Sequence, residues 1–399
     1  MPGRIVTTCD LHYSRAAFRD RVLRLEGGNA VILKNFRWFL GIALLASAGT
    51  APAFTLITPP EEATAPGTEV TSTTTLSTAA QPIVGSIRTQ ILSRRLRKNE
   101  KLTWAERAVA VNERGQGRSD VNYLAASLAD PSGGSGVGGG SSSLWISAAY
   151  NSMENEFSRT QFYGSTQNIL SGFDYTGANR YIVGVAIGFE ANDFVTQFNA
   201  GDERTRGFNI SPYFSLLLSD TWSLDLALGY GGFDTRQSRT VGSLTIPFGT
   251  DAVTSDVEST RSFAALNLTN VSTVGNWKLT SSLGALGTRR KQEAYVESNG
   301  NAVAESRQSV NQWNLLGEAA YGRGASEAYA GVVYEYVPDP PAVQFSTGEQ
   351  PPVDKDSYVL GAGWRYFARS LTANFAFTGR VGQTDYKEYG FYMMLRVDL

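Results

Sequence analysis

Hydrophobic and polar residues alternate along the C-terminal two-thirds of the chain, in segments of about ten residues. Between positions 181 and 190, large apolar side chains occupy the odd positions, and small or acidic side chains occupy most of the even ones. The same alternation returns at 222–230, 358–366, 371–380 and 391–399. A period of two predicts β-strands with one apolar face. About ten residues is also the length of a strand that crosses a bilayer.

The connections between these segments alternate between short turns and longer polar loops. Short turns are predicted at 176–180, 219–221, 273–276, 322–326 and 368–370. Longer loops are predicted at 156–161, 197–204, 237–256, 291–305, 338–355 and 384–388. Short turns at one end and long loops at the other are typical of outer-membrane barrels. The pattern predicts about twelve antiparallel strands over 144–399, with both ends of the barrel on the periplasmic side.

Aromatic residues gather at both predicted ends of the strands. The set beside the short turns is Tyr175, Tyr181, Trp222, Trp277, Tyr329 and Tyr366. The set near the long loops is Phe157, Phe162, Phe189, Phe194, Tyr230, Phe233, Tyr336, Tyr358 and Tyr389. Two aromatic girdles are expected of a barrel in lipid, whereas a soluble β-sandwich has no reason to carry them. The predicted fold class is therefore an all-β membrane protein, an antiparallel transmembrane β-barrel of about twelve strands.

A single uninterrupted apolar run lies near the N-terminus. Basic residues at 34–37 precede the apolar positions 38–46, and Ala51 and Ala53 follow with the spacing of a signal-peptidase site. This order predicts a secretory signal peptide over 1–53, cleaved after Ala53.

The first thirty residues are longer than an ordinary signal-peptide n-region. We expect that 1–30 reflects a misplaced start, with the true start near Val31 or Leu33. An extended n-region is the alternative.

Three further segments separate the signal peptide from the barrel. Residues 54–80 are rich in Thr, Pro, Ala and Glu, which predicts a disordered spacer. Between 81 and 130, isoleucines recur every fourth residue with arginines on the other faces, which predicts short helices. Residues 131–143 form a Gly/Ser linker. The helical segment is either a periplasmic linker or a plug inside the lumen, its arginines facing inward acidic groups.

The predicted mature chain carries few groups that could perform catalysis. Cys9 and His12 are the only thiol and imidazole, and both lie within the predicted signal peptide. Their loss excludes serine–histidine and cysteine nucleophiles and most zinc sites, so no enzyme activity, cofactor or metal is expected. The charged residues on the inward face are interpreted as lining a hydrated lumen; they are Glu190, Asp225, Glu318, Arg365, Arg380 and Arg396.

Several segments of the C-terminal region resemble the autotransporter β-domain of type V secretion. They lie at 144–150, 157–159, 181–190, 211–213, 220–225 and 229–230. The terminal pattern is similar to the signal read by the barrel assembly machinery, although the family more often ends in an aromatic residue; its positions here are Gly390, Met393, Leu395 and Leu399. The resemblance covers 144–399. It implies a barrel of the Gram-negative outer membrane that lets an N-terminal passenger reach the surface, with a linker helix left in the pore.

The segment between Ala53 and Leu144 holds no β-helix repeats and no recognisable catalytic or adhesive domain. The predicted function is a translocator or surface-display domain with a minimal passenger or none. A surface adhesin or receptor acting through 237–256 and 338–355 is one alternative, and a small plugged porin-like channel is another. The expected partners are the outer-membrane bilayer, the barrel assembly machinery and periplasmic chaperones. We expect a monomeric barrel, and the net charge of −2 gives no footprint for nucleic acid.

Overall fold

The computed structural model describes a helical segment near position 90 and most of the chain from position 141 onward. The described residues are 81, 83–89, 91–92, 141–177, 180–242, 250–340, 350–368 and 370–399. The predicted signal peptide, its cleavage site at Ala51 and Ala53, and most of the spacer and Gly/Ser linker lie outside these residues, as do the helices predicted beyond position 92.

Twelve strands of the described chain form a closed antiparallel barrel, which confirms the predicted fold class. The first seven are β1 (Ser141–Asn155), β2 (Phe162–Gly177), β3 (Tyr181–Thr196), β4 (Gly201–Leu217), β5 (Trp222–Gly242), β6 (Thr250–Val274) and β7 (Trp277–Gln292). A separate hairpin of β8 (Tyr295–Val296) and β9 (Ala302–Val303) follows. The last five are β10 (Ser306–Arg323), β11 (Ser326–Tyr336), β12 (Asp356–Phe367), β13 (Leu371–Val381) and β14 (Tyr386–Asp398).

The barrel closes between its first and last strands. In the β1–β14 pair, Ser143 lies opposite Asp398 and Asn155 lies opposite Tyr386. Closure removes the free edges that an open sheet would expose to lipid, where no water can satisfy the backbone N–H and C=O groups.

The two ends of the barrel differ as the sequence predicts. At the end that we call the turn end, only 178–180, 218–221, 275–276, 324–325 and 368–370 separate neighbouring strands. The opposite loop end carries the connections 156–161, 197–200, 243–249, 293–305, 337–355 and 382–385.

Two predicted loops are shorter than expected. β4 already begins at Gly201, and β5 and β6 remain paired up to Gly242 opposite Thr250. Much of the predicted loop 237–256 is therefore a two-stranded extension. The alternation of side chains continues there, although polar residues replace the apolar ones.

The outward face of the barrel is apolar and the inward face is polar. Ile187, Phe208 and Phe377 are each more than 60% exposed, whereas the inward Glu190 and Ser223 are completely buried. This is the reverse of a soluble protein and matches a barrel that meets lipid on its outer wall. No helix among the described residues is long and apolar enough to span a membrane.

The aromatic girdles are partly confirmed and partly corrected. The girdle positions Tyr181, Trp277, Phe189, Tyr230 and Tyr389 are exposed on the outer wall. Five predicted girdle residues are buried or face the lumen instead: Phe157, Phe162, Phe194, Phe233 and Tyr329. Proximity to a turn fixes the height of a side chain along the strand. The odd or even position within the strand decides which face it joins.

The apolar outer wall predicts that a charge is tolerated outside the membrane and not within it. Ile187 on β3 and Val296 on the surface hairpin are similarly exposed, at 62% and 65%. We expect Ile187→Arg to destabilise the barrel by roughly 2–4 kcal/mol, because an arginine near the bilayer midplane is poorly solvated. The matched variant Val296→Arg should change little. The measurement is urea unfolding in lipid vesicles, followed by the heat-modifiable band in SDS gels. Equal stability of the two variants would contradict a lipid-facing β3.

Candidate functional site

The described helical segment lies inside the barrel with one apolar face against the wall. Ile83, Ile87 and Ile91 are no more than 2% exposed. Their spacing of four residues places them on the same side of a helix. They share one buried apolar cluster with inward side chains of seven consecutive strands: Trp145, Leu170, Ile182, Ala186, Tyr213, Ala227, Phe263, Ala265 and Leu286. The described helical residues between 81 and 92 therefore lie against the inner wall of the barrel.

Glycines make room for this helix by letting aromatic rings lie flat against the wall. A Cβ atom at Gly172 would come within 2.4 Å of the Trp145 ring, and one at Gly229 within 2.0 Å of the Phe263 ring. Side chains larger than hydrogen at these glycines would push the rings into the lumen. The glycine–aromatic pairs thus shape the surface that receives the isoleucines.

Contacts at its two ends fix the direction of the helix. The Gln81 Nε2 atom donates to the Glu335 carboxylate at 2.9 Å, and Glu335 lies at the loop end of β11. Leu92 packs with Val271 and Phe367, which lie at the turn end of β6 and β12. The helix therefore runs from the loop end to the turn end, a rise of about 18 Å for twelve residues.

Polar contacts hold the remaining faces of the helix. Ser147 of β1 donates a hydrogen bond from Oγ to Ser86 Oγ at 3.0 Å, and both residues are buried. Burial of Arg88 works against its charge, and the carboxylates of Glu318 and Asp225 offset that cost only in part.

The structure brings four of the predicted lumen charges into ion pairs that connect different strands. Arg365 contacts Glu318 at 2.7 Å and Glu327 at 2.8 Å, and Lys278 contacts Glu327 at 2.6 Å. Arg380 lies 2.8 Å from Glu388 and also pairs with Glu335. Glu190 pairs with Arg261 at 2.8 Å.

The other two predicted lumen charges have local partners. The Asp225 carboxylate accepts hydrogen bonds from Ser215 at 2.6 Å and from Thr269 at 3.2 Å. Arg396 pairs with Asp398 on the same strand.

Sequence reasoning missed several lumen partners: Gln81, Arg261, Lys278, Glu327 and Glu335. Most lie at inward positions that strand alternation alone would identify. Which ones meet across two or three strands depends on the register. Removing one member of such a buried pair is costly because the other charge is left without compensation.

The predicted assembly residues lie on the last strand. Met393, Leu395 and Leu399 are exposed on the outer wall, at 38%, 39% and 61%. Gly390 lies opposite Asn151 of β1, and its missing side chain accommodates the Asn151 amide. These residues thus belong to the outer surface and the closing seam.

The β8–β9 hairpin covers the inner face of the β5–β6 extension at the loop end. Gln237 donates to the Tyr295 hydroxyl at 2.9 Å, and Arg239 pairs with Glu297 at 2.8 Å. Both charged side chains are at most 3% exposed. Burial would raise the pKa of Glu297, but hydrogen bonds from Arg239 and Asn301 outweigh it and hold that pKa below its ordinary value.

This buried pair predicts a hairpin that opens when Glu297 loses its charge. We expect Glu297→Gln to weaken hairpin docking by about 3–5 kcal/mol, because Arg239 would remain buried without a counter-charge. The readout is the amide protection of residues 295–303 by hydrogen exchange. Asp256→Asn is the matched control, since the Arg236–Asp256 pair is more than 80% exposed and contributes little.

The same pair sets the sign of the pH dependence. Folding lowers the pKa of Glu297. The contribution of its charge to hairpin docking is therefore complete above the unfolded pKa of about 4.3, and it is lost as the pH falls through the folded pKa. Acid should therefore reduce hairpin protection in the parent protein. A Glu297→Gln variant with parental protection at neutral pH would contradict this role.

Comparison with known proteins agrees with this geometry. A family model described as the autotransporter beta-domain matches residues 144–382. The translocator domain of autotransporter NalP from Neisseria meningitidis is 12% identical, with a TM-score of 0.52 over 74% of this chain and 96% of that one. The β-domain of the Bordetella autotransporter BrkA is 14% identical, with a TM-score of 0.51 over 64% and 98%. No curated protein sequence matches the chain.

At these identities the solved structures show a shared fold alone, whereas the family model covers more than half of the chain. The chain therefore belongs to the autotransporter β-domain family, and its barrel is a translocator domain of the bacterial outer membrane.

Proposed function

We propose that this barrel carries the part of the chain before Gln81 to the cell surface and keeps the lumen helix in place behind it. The observation that supports this is the direction of the helix. Its first described residue, Gln81, contacts the loop end, and its last described residue, Leu92, contacts the turn end. In outer-membrane barrels the short turns face the periplasm and the long loops face outside.

This direction fits the path that a translocated chain must take. On this proposal the segment before Gln81 is on the outer side of the membrane. Residues after Leu92 must reach Ser141, which begins β1 at the turn end. A helix of the opposite direction would place both flanking segments on the wrong sides for display.

The two alternative functions have less support. A plugged channel needs an aqueous path that opens, but here three isoleucines pack tightly on the wall. An adhesin or receptor acting through 237–256 and 338–355 needs long free loops, but most of the first segment is paired strand, and the β8–β9 hairpin docks on its inner face.

We extend the proposal to the export of the chain and the assembly of the barrel. We expect a secretory signal peptide that is cleaved after Ala53. We expect periplasmic chaperones to bind the exported chain first. The barrel assembly machinery should then recognise the last strand through Gly390, Met393, Leu395 and Leu399. The closed β1–β14 seam supports a monomeric barrel. The role is transport across the membrane, without catalysis.

Cysteine labelling on intact cells tests the proposed direction of transport. In a Cys9→Ser background, single cysteines replace Thr64, Asn299 in the surface hairpin, or Asp220 in a short turn. We expect a membrane-impermeant maleimide to label T64C and N299C on intact cells. D220C should react only after the outer membrane is permeabilised, because the turn end faces the periplasm. If T64C behaved like D220C, the upstream segment would not be displayed.

A further inference from the structure

One arginine on the outer wall near the loop end lacks the ion pair that its counterparts make. The basic side chains that point outward from the described strands at this end are Arg204, Arg206, Arg236, Arg289, Lys291, Arg307 and Lys387. All of them except Arg289 pair with a carboxylate. Arg289 of β7 is exposed and makes no ion pair with any described residue, whereas the adjacent Thr288 and Arg290 are buried toward the lumen.

Two serine hydroxyls flank Arg289 on the same outer face. Ser262 of β6 lies opposite Arg289 on one side, and Ser309 of β10 lies opposite it on the other. The Cβ atoms of directly opposite residues in an antiparallel pair are about 4.5–5.5 Å apart. Neither hydroxyl makes a side-chain hydrogen bond within the described part of the chain. One guanidinium and two hydroxyl donors therefore face outward together.

The position of Arg289 along β7 places it at the outer edge of the bilayer. The strand begins at the turn end with Trp277, which is exposed on the outer wall. From Trp277 to Arg289 the strand extends by about 40 Å, which is about 30 Å along the membrane normal at a tilt of about 40°. The apolar band of an outer-membrane barrel is about 25 Å tall. Arg289 therefore lies at the height of the lipid headgroups in the outer leaflet.

The outer wall below Arg289 forms a shallow apolar groove. Its floor consists of small residues on β6 and β7: Ala264, Ala285 and Gly287. Tyr230 on β5 and Trp313 on β10 stand on either side and are 59% and 40% exposed. A Cβ atom at Gly287 would meet only Asn311 Oδ1, at 3.3 Å, so no side chain fills the floor at that point. The groove runs from Arg289 toward the middle of the membrane.

We infer that Arg289 and its two flanking serines bind a phosphate group of lipid A, the phosphorylated glycolipid of the outer leaflet, with an acyl chain in the groove below. A guanidinium matches the geometry of a phosphate and binds it through two parallel hydrogen bonds. The absence of a carboxylate partner leaves the Arg289 charge available for this contact. A free phosphate ion would leave the groove unused, whereas a lipid occupies both parts of the site. This binding site is separate from transport and does not depend on its direction.

The test measures lipid binding to the purified full-length protein in detergent by native mass spectrometry. We expect the parent to bind one lipid A molecule, and Arg289→Gln to bind it at least about tenfold more weakly, because a charge-assisted pair of hydrogen bonds is lost. Fully dephosphorylated lipid A should bind the parent equally weakly. Arg236→Gln is the matched control and should keep the parental affinity, since Arg236 is 86% exposed and already pairs with Asp256.

A second variant tests the groove without changing any charge. Gly287→Leu adds an outward side chain where only the Asn311 amide is near, so the barrel should fold and remain heat-modifiable. We expect it to bind lipid A about fivefold more weakly, because the new side chain occupies the space of the acyl chain.

Three results would overturn the inference. The first is parental affinity in Arg289→Gln, and the second is equal affinity of the parent for phosphatidylglycerol and lipid A. The third is a protein dimer that both variants abolish, which would assign this face to a second copy of the chain.

Discussion

Backbone hydrogen bonding in lipid is the constraint on which the rest of this structure depends. A strand inside the bilayer has no water to satisfy its amides, so every barrel strand must pair on both sides. Pairing of β1 with β14 meets that demand by closing the sheet. Closure then divides each strand into an apolar outer face and a polar inner one, and it creates a lumen whose wall is fixed by register.

The shape and polarity of the lumen wall determine how the helix packs against it. Flat aromatic rings over glycines leave a smooth apolar surface on one side of the lumen, and the isoleucine face of the helix fits it. Away from that surface, Gln81 and Ser86 meet polar partners, so the amphipathic character of the helix matches a wall that is part apolar and part polar. This match gives the helix one orientation, from the loop end to the turn end of the barrel.

Much of the barrel follows from alternation and turn lengths, because both depend on local sequence. The outward row from Tyr181 to Phe189 and the isoleucine repeat of the helix are readable in this way. Other features depend on contacts between distant strands. Tyr329 was expected in a girdle and instead lies beneath Arg365 in the lumen, with the guanidinium carbon 3.8 Å from the ring centroid. The β8–β9 hairpin escaped prediction because its two-residue strands give no periodic signal, and its docking depends on the Arg239–Glu297 pair.

Disulfide trapping measures the position of the helix most directly. Ser86 and Ser147 face each other with their Oγ atoms 3.0 Å apart, so cysteines at both positions should be within bonding range. In a Cys9→Ser background, S86C/S147C in outer membranes should form an intramolecular disulfide under mild oxidation, visible as a mobility change that reductant reverses. A disulfide between cysteines placed at Ser86 and at Asp220, which lies at the turn end, should not form. Absence of the S86C/S147C disulfide in a heat-modifiable barrel would contradict a helix held in the lumen in this orientation.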